Sequence, residues 1–236
     1  MKESSSKPTT PDERRPSTNA LRKLVATMLT SLASTAVLAG NLTVTAVDKD
    51  GAPVLDAVVI LQPASPGVPK TPLPTRVTIS QEKMRFVPAT SVVAVGAKAR
   101  FVNNDTWDHH VRASAAGLAQ FNATLDDGFE LMLNGKADGK PPSTAEASFD
   151  KAGAVLLGCH LHPSMRGHVY VSASPWAALT GPDGTVLMEG VPDGHVVVRI
   201  WHPDQLIDIA PQTITLSAAP AEAKLQLNVV PKRRRI

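Results

Sequence analysis

The chain has 236 residues, 43% of them hydrophobic and only 4% aromatic, with 20 Pro and 15 Gly. That is enough material for one large or two small cores. Short Val, Thr and Ile runs without long amphipathic repeats exclude a helical bundle and point to an all-β protein. The formal net charge is +3, but the excess falls at the two ends of the chain.

Residues 1–23 are polar, with Arg14, Arg15, Arg22 and Lys23 towards their end. Leu24 to Ala39 is apolar, diluted by Thr and Ser, and closes on Val37-Leu38-Ala39 before Gly40. A charged leader, a short apolar stretch and small residues at the third-last and last places read as a cleavable export signal over residues 1–39. The apolar stretch is short for a membrane span. The expectation is an exported, periplasmic protein with no stable membrane insertion after cleavage; an uncleaved N-terminal anchor is the alternative. The leader holds six Lys/Arg and three Asp/Glu, which leaves 18 of each in the mature chain. Four of those cations form the basic tail Lys232-Arg233-Arg234-Arg235 within residues 231–236. The remaining body is mildly acidic, so no nucleic-acid partner is expected.

In chain order, Asn41 to Val47 alternates as a strand, Asp48 to Gly51 is a turn, and Val58 to Leu61 is a second strand. The Pro-rich stretch from Gln62 to Thr75 holds little regular structure and contains a linker at residues 67–75. Strands resume at Val77–Ile79, Val92–Val95 and Ala99–Val102. Residues 115–150 read as a looser region with turns at Asp126-Asp127-Gly128 and Gly139 to Pro142. Ala154–Leu157 and His168–Val171 are two further strands. After Pro175 come strands at Thr185–Met188, His195–Trp201, Thr213–Leu216 and Leu225–Val230, with an Asp-Gly turn before the first (Asp183-Gly184) and another between the first two (Asp193-Gly194).

An exported chain with one cysteine forms no internal disulfide, so the thiol is a buried inert residue, an intermolecular partner or a ligand. It lies in the densest segment, Gly158-Cys159-His160-Leu161-His162-Pro163-Ser164-Met165-Arg166-Gly167, a short loop between two strands. A thiolate with imidazoles suits zinc or copper, and a nearby thioether argues for copper. One loop does not supply a full set of ligands. Asn103 to Val111, which contains His109 and His110, offers the missing imidazole.

These residues resemble the cupredoxins, especially amicyanin and plastocyanin. Cys159 to Gly167 is similar to the amicyanin ligand loop, with two residues between Cys and His and two between His and Met. Phe101-Val102-Asn103-Asn104, followed by His109, resembles the first-histidine segment of plastocyanin; Phe86-Val87-Pro88 and Gly96 also fit. The resemblance covers residues 76–173. It implies one type 1 copper ion, with His109, Cys159 and His162 equatorial and Met165 axial, and with His160 pointing away. Asp108 and His110 stand where that family has Pro and Asn, which leaves both imidazoles open as the ligand; the spacing from Phe101-Val102-Asn103-Asn104 favours His109. Cys159 and His109 are expected to be buried, while Leu161, Pro163 and Met165 are expected to ring His162 at the surface.

Residues 40–66 and 174–230 resemble two parts of a transthyretin-like, carboxypeptidase-regulatory-type β-sandwich, from Asp48 to Leu61 and from Thr180 to Pro203. The fold this implies is a Greek-key cupredoxin sandwich inserted in a discontinuous β-sandwich. The function it implies is one-electron Cu(I)/Cu(II) transfer between redox partner proteins, without enzymatic activity. The alternatives are a copper-binding chaperone, or a structural cell-envelope module with a degenerate copper site. His168, His195 and His202 read as structural.

Overall fold

Residues 39–117, 128–205 and 207–229 are described in a computed structural model, and every regular element in them is a β-strand. Most of the expected export signal, the Asp126-Asp127 turn and the basic tail lie outside the described residues. No helix among the described residues is long and apolar enough to cross a membrane.

Inward Leu42, Val44 and Ala46 alternate with half-exposed Thr43 and Thr45 in β1 (Ala39–Val47), so one face of this strand must be covered. It lies between β13 (Thr185–Pro192), antiparallel, and β16 (Ala221–Gln226), parallel. A second sheet has the order β12 (Trp176–Leu179), β2 (Val58–Pro63), β14 (Gly194–Trp201), β15 (Gln212–Leu216). These two sheets enclose a core that includes Leu42, Val44, Leu61, Val191, Val198, Ile200 and Leu225. Between β2 and β12 the chain builds two further sheets. One has the order β5 (Thr90–Ala94), β11 (Arg166–Ser172), β10 (Gly153–Cys159), β7 (His109–Ala115), β8 (Phe129–Leu133). The other is β4 (Phe86–Val87), β3 (Arg76–Gln81), β6 (Ala97–Asn103), β9 (Ser143–Phe149). Their shared core contains Ile79, Phe86, Phe101, Leu133, Phe149, Leu157, Val169 and Val171.

A third cluster joins the two sandwiches: Val58, Ile60, Ala177 and Trp201 pack with Ala116, Ala154, Leu156 and Tyr170. The apolar run Ala154 to Leu157 follows from this, because β10 buries side chains on both faces. The seam covers only part of that outer face. Along β10 it takes Ala154 and Leu156, whereas His160, just past the strand, is exposed.

Two sequence expectations need correction. Residues 115–150 are not loose throughout, since β8 and β9 are regular strands. The last strand runs over Ala221–Gln226 rather than 225–230; Leu227 and Val229 are buried beyond its end. Residues 64–75 of the Pro-rich stretch form no regular element, as expected of their composition, yet they are tied down: the carbonyls of Pro74 and Thr75 accept from the amides of Ala94 and Lys98, and Leu73 packs in the seam.

Candidate metal centre

Two strand ends meet at one end of the β3–β11 sandwich. The chain leaves β6 at Asn103, turns through residues 104–108 and enters β7 at His109. Strand β10 ends at Cys159, and the loop 160–165 leads into β11. Antiparallel pairing of Cys159 with Val111 puts the odd-numbered side chains of both strands inward, so His109 and Cys159 share the core face. His109 is 0% exposed, Cys159 5% and Met165 1%, while His162 is half-buried.

The Sγ of Cys159 lies 3.7 Å from Nδ1 of His109 and 3.5 Å from Nδ1 of His162. One nitrogen from each imidazole and the sulfur all fall within 4.8 Å of one another. A turn in which Met165 N–H donates to the His162 carbonyl at 2.9 Å folds the loop back, and Met165 joins the apolar cluster that contains Cys159. This corrects the sequence reading in one respect: Leu161 (47% exposed) and Pro163 flank His162 at the surface, but Met165 is inside. The donor set fits copper. It combines a thiolate, two imidazoles and a buried thioether, and a thioether is a poor zinc ligand but suits a weak axial place at copper.

The choice between the two adjacent histidines follows from strand parity. His110 faces the other side of β7, where its Nε2 lies 3.2 Å from Oε2 of Glu130 and its ring stands 5.7 Å from that of His160. His160 is exposed, and neither residue joins the inward trio. His168 rests against Trp201, His195 lies 3.2 Å from the Thr215 hydroxyl, and His202 accepts from the Asp204 amide.

Two residues without an assigned role in the sequence hold the first loop. Nε2 of His109 lies 3.0 Å from Oδ2 of Asp105, a pairing that fixes the ring and leaves Nδ1 facing the sulfur. The same carboxylate accepts the amides of Lys83 at 2.5 Å and Met84 at 2.9 Å. Burial pushes the Asp105 carboxyl up, but the hydrogen bonds from Met84, His109 and Lys83 outweigh it and hold the group below its ordinary value. Asn103, fully buried, accepts the Asp105 amide through Oδ1, and its Nδ2 lies 2.7 to 3.2 Å from the carbonyls of Trp107, Leu133 and Asn134. Asn-Asn-Asp is a turn signal in sequence; that its last member reaches back to a histidine four residues on is a property of the loop.

Residues 74–172 match the model of the copper-binding proteins of the plastocyanin/azurin family. No curated protein matches the chain. Among solved structures, amicyanin from Paracoccus versutus is 24% identical, covering 48% of this chain and 97% of its own with a TM-score of 0.31. A purple cupredoxin from Nitrosopumilus maritimus is 20% identical, covering 41% of this chain and 99% of its own with a TM-score of 0.32. A copper-containing nitrite reductase from Thermus scotoductus SA-01 is 23% identical over 47% of this chain but 25% of its own, with a TM-score of 0.33.

Proposed function

From a cupredoxin-like chain with a type 1 copper site, we propose an electron carrier in which His109, Cys159 and His162 hold the metal and Met165 is its weak axial donor. The observation that carries this reading is the asymmetry of the trio: Cys159 and His109 are sealed in an apolar core, while His162 reaches the surface. Copper in such a site supplies a one-electron Cu(I)/Cu(II) couple. The chain supplies rigidity, because His109 is fixed by Asp105 and Cys159 stands at the end of a strand paired on both sides. A copper chaperone would need an exposed, exchangeable thiol, and Cys159 is not one.

The surface around His162 suits brief contact with a redox partner. Leu161, 47% exposed, and Pro163 flank His162 on its loop, and exposed apolar groups of this kind favour small, short-lived interfaces. The reading makes the protein a carrier and not an enzyme, working in the periplasm once residues 1–39 are removed. Its partners in this reading are redox proteins of that compartment.

The copper(II)-loaded protein is expected to absorb strongly in red light, with the narrow copper hyperfine splitting of a thiolate-bound centre in its spin resonance. Cys159→Ser is expected to abolish both while the strand signal in circular dichroism stays. A colourless copper(II) protein with an ordinary spin-resonance spectrum would end the carrier reading.

A further inference from the structure

The outer face of the copper-bearing sheet carries a second group of metal-binding side chains, back to back with the first. Strand parity creates it. With odd-numbered residues inward, β7 turns His110 and Arg112 outward, β8 turns Glu130 and Met132 outward, and the chain beyond Cys159 turns His160 outward. Register then brings them together. His110 pairs with Met132 and Arg112 with Glu130, and the amide of His160 donates to the carbonyl of His110 at 2.9 Å. Further along the same face lie Ala116, Ala154 and Leu156, which are covered by the seam. The apolar cover stops short of the histidines, which leaves His160 exposed and Met132 58% exposed.

We propose that His110 and His160 form a second, surface site for a divalent transition ion, zinc or copper(II). The centroids of the two rings are 5.7 Å apart at 65°. Metal–nitrogen bonds of about 2.0–2.1 Å place the centroids of two imidazoles sharing one ion about 5–6 Å apart. Glu130 prepares one of the rings: its Oε2 lies 3.2 Å from Nε2 of His110, and the proton held there leaves Nδ1 as the free donor. The other oxygen of Glu130 is engaged by Nε of Arg112 at 2.8 Å, so this carboxylate orients the ring and does not itself complete the shell. Water fills the remaining positions, with Met132 at hand for a softer ion. The site is therefore open and exchangeable, unlike the sealed trio behind it. Its two histidines follow His109 and Cys159 directly in the chain, so an ion bound there adds positive charge close to the inner centre and favours its reduced state.

The test is calorimetric titration of zinc(II) into the full chain already loaded with copper. One exchangeable zinc equivalent is expected, and His110→Ala and His160→Ala are each expected to weaken it at least about tenfold while the red absorption persists. Unchanged zinc binding in the double variant, or no zinc binding in the parent, would overturn the site. Should either substitution disturb the copper loop, proton resonance of the reduced parent protein decides instead. Zinc is expected to shift the ring signals of His110 and His160 and to leave those of His195 and His202 in place; the reverse pattern refutes the proposal. Failure of the carrier reading shows as absent red colour in the parent, failure of this site as zinc binding indifferent to both histidines, so the two are told apart.

Discussion

Asp105 has two oxygens and three donors to satisfy, the amides of Lys83 and Met84 and the ring of His109. Asparagine has nearly the same shape but one acceptor oxygen, and its NH2 would face one of those donors. Asp105→Asn is therefore expected to loosen His109 and weaken copper binding by about 10–100-fold, measured by competition with a chelator of known affinity. It should also raise the reduction potential, since a buried negative charge beside a ligand favours Cu(II). Equal affinity in the variant would show that the core packing alone positions the ring. At this scale the sequence was informative about identity and poor about direction. Cys159, His162 and Met165 could be nominated because one short loop holds three donor types. The neighbours His109 and His110 could not be separated by chemistry, because both are imidazoles. What divides them is which face of β7 looks inward, and that depends on pairing with β10.

Gly135 shows how one element constrains the other end of a loop. It follows β8, its amide donates to Oδ1 of Asp108 at 2.6 Å, and a Cβ at this position would overlap the carbonyl oxygen of Thr106. The obstacle is backbone, which no rotamer relieves. Gly135→Ala is expected to cost about 1–3 kcal/mol in denaturant unfolding and to disturb the loop that delivers His109. Stability equal to the parent would mean that the loop shifts freely, contrary to its hydrogen bonding. Strands with a clear alternation, such as β1 and β14, were legible from composition, whereas β9 was not. Its sequence Ser-Thr-Ala-Glu-Ala-Ser-Phe has few residues that favour strands. The strand exists because β6 offers a full edge for pairing and because Ala145 and Ala147 are small enough to pack against the core that holds Phe149. Such a segment is specified by its neighbour, and neighbours are not visible in a linear reading. The same applies to the seam, since Leu156 and Trp201 could each have been assigned to the core of its own sandwich.

Across the whole molecule, four sheets stacked on three apolar clusters explain how one end of the inner sandwich can be exposed while its flank is covered. The seam has a built-in reporter. Tyr170 is the sole tyrosine of the chain, and its ring stands 5.5 Å from that of Trp201 on the opposing sandwich. Burial raises the phenol above its ordinary value of 10.0, the negative charge of Asp208 raises it further, and Arg199 acts in the opposite sense. The folded state thus holds this proton more tightly than the unfolded chain does. Its contribution to stability is constant below the ordinary value of 10.0 and is lost as the pH climbs from there through the folded value. The phenolate signal in near-ultraviolet absorbance should therefore appear later on raising the pH of native protein than of protein in denaturant. Asp208→Asn should bring the native curve part of the way back, because it removes the second cause and leaves the first. Tyr170→Phe should remove this share of the alkaline loss of stability, read as the difference between parent and variant so that lysine titration cancels. A native tyrosine that ionises together with the denatured one would mean that water reaches the ring, and hence that the two sandwiches do not stay closed on each other in solution.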